Sequence, residues 1–183
     1  MSDPLRDEMV TLRDGRHVHV RPGRSGDEEA LLENVNLVCA EDVYLMMDEV
    51  PWDLEREREW LGKFDGEENV LFVAADGRTI VGQADCHRGG WPKIAHTGTL
   101  GIAIRAGWRE VGLGRVLMDR ILDWMTFRRF EKACLTVFAT NARARRLYES
   151  LGFEEEGIRR RQLKIRGEYV DEIEMGLWLA RGP

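Results

Sequence analysis

The stretch from Gly101 to Arg115 constrains this chain more than any other. It carries an apolar strand through Ile102, Ala103 and Ile104. It then turns through Arg109, Glu110, Val111 and Gly112 and opens a helix with Leu113, Gly114 and Arg115. Beyond it, Leu117, Ile121 and Trp124 recur at helical spacing. A helix that begins directly behind a glycine-bearing loop offers unpaired backbone N–H groups at the positive end of its dipole, which is a cradle for a pyrophosphate. Gly112 and Gly114 put no Cβ in the way of a phosphate. Arg109 and Arg115 can add charge-assisted bonds. The spacing fits neither a P-loop, since no Gly-Lys-Ser/Thr follows, nor the dinucleotide fingerprint, whose third glycine would fall where Leu117 stands.

The flanking sequence alternates strand and helix signals. His17–Arg21 reads as a strand, and Arg24–Asp27 opens a helix bearing Leu31, Leu32, Val35 and Val38. Pro51 breaks the chain, and Asp53 can cap a short charged helix to about Lys63. Val70–Ala75 and Thr79–Asp85 form a hairpin about Asp76-Gly77, and a third strand runs over Ile94–Ile104. Gly98 and Gly101 within it predict a bulge or the close approach of a ligand. After the long helix come a strand at Ala133–Ala139 and a helix capped by Asn141 and closed by Gly152. Two strands follow, Phe153–Ile165 and Tyr169–Leu179. The order β-α-α-β-β-β-α-β-α-β-β is that of a mixed α/β sheet. With 183 residues and no linker or repeat, one domain over 1–183 is expected.

Charge and cysteine content narrow the function. The 27 Lys+Arg against 33 Asp+Glu leave a net charge of −6, which disfavours nucleic acid and anionic membranes and favours cationic or neutral partners. The first residues are polar and acidic, unlike a targeting peptide. Cys39, Cys86 and Cys134 form no CxxC, so reduced thiols and a cytoplasmic location are expected, and no metal-ligand pattern appears.

Arg109-x-x-Gly112-x-Gly114 behind an Ile-Ala-Ile strand resembles the acetyl-CoA signature of the GCN5-related N-acetyltransferase (GNAT) superfamily. Leu135-Thr-Val137 followed by Asn141-x-x-Ala144-x-x-Leu147-Tyr148-x-x-x-Gly152-Phe153 resembles its second conserved block, about 30 residues further on. The likeness covers residues 10–180, and the first third matches in element order alone. It implies a mostly antiparallel sheet with helices on both faces. In the middle, two parallel strands, Thr99–Ile104 and Ala133–Phe138, splay apart around a pantetheine arm. Acetyl-CoA would then be held by backbone groups of Ile102–Ile104, by residues 109–115, and by Asn141 and Ala144. Glu110 departs from the family's usual Gly or basic residue and is expected to point outward.

The resemblance also implies roles in catalysis. A backbone N–H near Ile102 would polarise the thioester carbonyl. Tyr148 lies seven positions after Asn141 on the same helical face and would protonate the leaving thiolate. For the base, His96 lies in register with Gly98, Leu100 and Ile102, and an imidazole accepts protons near neutral pH. Asp171, Asp85, Glu49 and a water relay are alternatives. Trp52, Glu55 and Trp60 would border the acceptor, with Asp171 nearby. The expected reaction is direct acetylation of a small amine or a peptide N-terminus. Alternatives are a non-catalytic acyl-CoA-binding module and a nucleotide-binding domain of another kind. Cys134, in a buried strand without a histidine partner, is not expected to act as a nucleophile. The exposed C-terminal strand pair offers a surface for a homodimer.

Overall fold

The computed structural model describes residues 3–179, so the ends of the expected domain, residues 1, 2 and 180–183, lie outside the described residues. Eight strands form one sheet: β1 (Glu8–Thr11), β2 (His17–Pro22), β3 (Asn69–Asp76), β4 (Thr79–Arg88), β5 (Thr97–Ile104), β6 (Lys132–Phe138), β7 (Glu154–Ile165) and β8 (Glu168–Trp178). Their order across the sheet is β1-β2-β3-β4-β5-β6-β8-β7. Every neighbouring pair is antiparallel except β5 and β6. Four helices complete the fold: α1 (Glu28–Cys39), α2 (Leu54–Leu61), α3 (Leu113–Phe127) and α4 (Ala142–Ser150).

The two faces of the sheet follow from alternation along the strands. On β3, Val70, Phe72 and Ala74 join the larger core beneath α3, with Leu117, Ile121 and Trp124 fully buried. Leu71 and Val73 point the other way and pack with Leu31 of α1 and Leu61 of α2. Asp27 precedes α1, but its side chain does not cap the helix. It forms two 2.7 Å bonds with Arg21 and accepts the Arg24 N–H, making a buried ion pair that ties the helix start to β2.

The expected splay is present. β5 and β6 pair at Thr97–Thr99 with Lys132–Cys134, and the ladder then stops. β5 continues against β4 to Ile104, and β6 continues against β8 to Phe138. The two strands therefore form a fork, each prong paired on its outer side alone. Some boundaries differ from expectation. Ile94–His96 is not strand, because Pro92 starts a short 3-10 turn there. β4 runs on to Arg88, and a short strand, β1, precedes the first one expected. β5 pairs continuously with β4 and has no bulge. Gly101 instead makes room for a side chain, since a Cβ there would lie 2.8 Å from Asp85 Oδ1.

Candidate active site

A cavity of about 390 Å³ opens where the fork parts. Leu100–Ile104 of β5 and Thr136–Phe138 of β6 form its prongs, and the start of α3 closes one end. Asn141, Ala144, Leu147 and Tyr148 of α4 form a wall. Tyr44, Leu45 and Met46 of the α1–α2 loop lie over it. Gly112 stands at the helix N-cap with φ +94°, a left-handed conformation that favours glycine, and Glu110 beside it is exposed with φ +64°. A Cβ on Gly114 would come within 3.0 Å of Leu147. Asn141 caps α4 by accepting the Ala144 N–H at 3.1 Å.

The unpaired inner edges of the fork and the bare helix N-terminus fit a pantetheine pyrophosphate. The arginine arms are more committed than the spacing implied. Arg109 donates to the Ile104 carbonyl at 2.7 Å and forms a two-pronged pair with Glu41 of the α1–α2 loop. Its guanidinium also stacks on Tyr44, 4.5 Å from the ring centre, and Arg143 approaches the same ring at 5.4 Å. Arg115 bonds Asp119 and the Ser150 carbonyl along the surface. Arg13, from the β1–β2 turn, lines the cavity against Gly112.

Tyr148 is 5% exposed and lines the cavity. Burial pushes its phenol up to about 12, so the hydroxyl keeps its proton throughout the neutral range. Its ring packs 5.9 Å from that of Phe153.

A second cavity, of about 270 Å³, lies on the α1–α2 side of β5 and shares Leu45, Gly101, Ile102 and Ala103 with the first. Gln83, Asp85 and His87 project into it from alternate positions of β4, and Trp52, Glu57 and Trp60 close it from α2 and the turn before it. His87 Nε2 lies 3.3 Å from Asp85 Oδ2. Glu57 accepts the Trp52 indole N–H at 2.7 Å. Burial raises the Glu57 carboxyl, the indole bond opposes this, and the Glu28 charge adds to it.

A model of the Acetyltransferase (GNAT) family matches residues 38–153, from the end of α1 through both cavities to the residue before β7. The chain belongs to this family. It is 34% identical over 88 residues to the L-amino acid N-acetyltransferase AaaT of Escherichia coli, covering 46% of this chain and 52% of that one. It is 40% identical over 76 residues to the [ribosomal protein bS18]-alanine N-acetyltransferase of Salmonella typhimurium, covering 42% and 51%. The chain thus spans about half the length of the curated relatives it matches. The structure of yncA from Salmonella typhimurium, solved with its cofactor acetyl-CoA, superposes with a TM-score of 0.82 at 19% identity over 91% of this chain and 96% of that one. That likeness is one of fold.

Most of the expected cofactor residues line the first cavity of this GNAT chain, Arg109, Glu110, Gly112, Gly114 and Arg115 among them. Val111 and Leu113 do not: Leu113 is wholly buried beneath the sheet, and Val111 packs on the same core while its carbonyl accepts the Arg13 N–H. The expected base does not reach the site. His96 lies before β5, at the closed end of the fork, where it stacks on Trp178 with ring centres 6.5 Å apart. Asp171 is also elsewhere: its carboxylate accepts the Arg161 N–H at 2.7 Å, in an irregular stretch of β7. Of the residues expected to border the acceptor, Trp52 and Trp60 line the second cavity, and Glu55 is exposed. Capped by Asp53, α2 turns Glu57 and Leu61, one helical turn apart, toward the sheet and leaves Glu55 outside. Cys134 is half-buried and its thiol pKa is raised by burial, unlike a primed nucleophile.

Sequence reasoning missed His87, Glu57, Glu41 and Arg13. Ending the second hairpin strand at Asp85 hid His87, although Gln83, Asp85 and His87 alternate as one strand face. Glu57 was reachable from its four-residue spacing to Leu61. Nothing local marks Glu41 or Arg13, whose contacts cross the fold.

Proposed function

We propose that this chain transfers the acetyl group of acetyl-CoA to a primary amine of a small molecule, by direct attack within a complex of both substrates. The observation that carries this reading is the meeting of the two cavities across Gly101–Ala103, with Tyr148 on one and the Asp85–His87 pair on the other. When bound in the fork, acetyl-CoA supplies a thioester carbonyl beside β5. The amine reaches that carbon from the second cavity, and the Asp85–His87 pair takes its proton. A backbone N–H near Ile102 faces the carbonyl oxygen as negative charge develops there. The C–N bond forms, the C–S bond breaks, and the Tyr148 hydroxyl gives its proton to the departing sulfur. Arg13, Arg115, Arg143 and the α3 N-terminus meet the phosphates.

Thiol release from acetyl-CoA across polyamines, amino acids, aminoglycosides and short peptides tests the reading. We expect release with a small amine, and a kcat reduced about 100-fold in Tyr148→Phe. Calorimetric affinity for CoA should stay within about two-fold, since the phenol meets sulfur and not phosphate. A module that binds acyl-CoA without catalysis would release no thiol with any amine. The similarity to the bS18-alanine enzyme favours a peptide N-terminus as the second reading. Release with an Ala-initiated peptide and with no small amine would select it.

A further inference from the structure

The second cavity also bears on the far end of the acceptor. Glu57 is 3% exposed and lines this cavity, yet among the described residues no Lys, Arg or His forms an ion pair with it. Among the described residues, the one hydrogen bond its carboxylate accepts is from the Trp52 indole N–H. A carboxylate so enclosed is costly unless a cation or a proton joins it. The walls beside it are aromatic. Trp52 and Trp60 line the cavity, with Phe64 packed behind them at 4.6 Å from the Trp60 ring and 5.0 Å from the His87 ring. Asp85 is the other carboxylate on the wall, and among the described residues no lysine or arginine lines the cavity. Indole faces and carboxylates attract a cation. An acceptor carboxylate brought beside Glu57 would meet a like charge, and His87, the one lining group able to carry a positive charge, is already held 3.3 Å from Asp85.

Resting on the reading of the site as an acetyltransferase, we infer that this cavity selects a diamine-type acceptor, with a second positive charge and no carboxylate at its far end. One nitrogen attacks at the Gly101–Ala103 junction. The other, as an ammonium, lies against Glu57 between the Trp52 and Trp60 rings. Glu57 is then a specificity-determining residue, and its burial is what makes it read charge.

Putrescine, n-butylamine and γ-aminobutyrate have matched chains whose far ends are positive, neutral and negative. Thiol release is measured with each at saturating acetyl-CoA, and calorimetry follows their binding to the CoA-loaded protein. The expected order of kcat/KM is putrescine above butylamine above γ-aminobutyrate, with about ten-fold or more between the first two. Glu57→Gln keeps an acceptor for the Trp52 indole and should bring the putrescine-to-butylamine ratio toward one. That ratio does not move when a variant merely loses folded protein, and the wild-type series is decisive without it. Equal or better turnover of γ-aminobutyrate, or a wild-type ratio near one, overturns the inference. Tighter binding of putrescine than of the other two without thiol release leaves the cation selection standing and removes the acetyl-transfer reading. No binding and no turnover of any of the three removes the cation selection.

Discussion

Tyr148 is both a core residue and the proposed acid, and burial joins the two roles. A phenol's ordinary pKa is about 10 and a thiol's about 8.5, so full transfer to a free thiolate runs uphill, and the hydroxyl helps by sharing its proton with the sulfur while the C–S bond is still breaking. With the phenol pushed up to about 12, the acid form persists at every pH at which an amine is titrated. The kcat profile should therefore carry no descending alkaline limb from Tyr148 below about pH 11. A limb near pH 9 that disappears in Tyr148→Phe would contradict this. The spacing from the Asn141 cap to Tyr148 places both on one side of α4, and the role proposed for Tyr148 comes from the resemblance to the family's second conserved block. His96, by contrast, misled. Its in-register position assumed a strand that Pro92 had already interrupted, and its stacking on Trp178 belongs to another end of the sheet.

The elements divide by where their contacts lie. The β3–β4 hairpin turns at Gly77 and Arg78, between the paired Asp76 and Thr79, and α3 starts where the glycine loop ends, because turn chemistry is local. The loop between α1 and α2 is different. Its Glu41 holds Arg109, its Asp42 holds Arg166 at 3.0 Å, and its Tyr44 takes two guanidinium groups. These partners are 68, 124 and about 65 to 99 residues away, and no periodicity announces them. The Glu41 pair competes with any anion that Arg109 would bind. Glu41→Gln should therefore tighten acetyl-CoA binding by about three-fold in calorimetry, and unchanged or weaker binding would mean that Arg109 is structural. At the start of α1, burial works against the Asp27 carboxylate, but the Arg21 bonds, the Arg24 N–H and both positive charges outweigh it and hold its pKa down. The pair's stabilisation is in place above the unfolded pKa and is lost as the pH falls below it. Asp27→Ala should lower stability by about 3 kcal/mol in urea unfolding. A loss of a few tenths would equate the pair with a surface bridge.

At the scale of the molecule, the sheet has two outer edges and one interior edge. β7, at one outer edge, carries a run of negative charge at Glu154–Glu156 and of positive charge at Arg159–Arg161 and is irregular between Arg159 and Leu163, a poor template for a strand from another molecule. That argues against a homodimer built by strand addition there. The fork is the interior edge, and it makes the fold's completeness conditional. Amides on the inner sides of Leu100–Ile104 and Leu135–Phe138 have no ladder between the prongs to shield them, so they should trade hydrogen for deuterium quickly while β3 stays slow. Added acetyl-CoA should slow that exchange within the prongs and raise the melting temperature with the logarithm of its concentration. Slowing spread evenly over β3 as well would mean general tightening instead. A cell's supply of acetyl-CoA would then set how long each copy of this chain survives, as well as how fast it works.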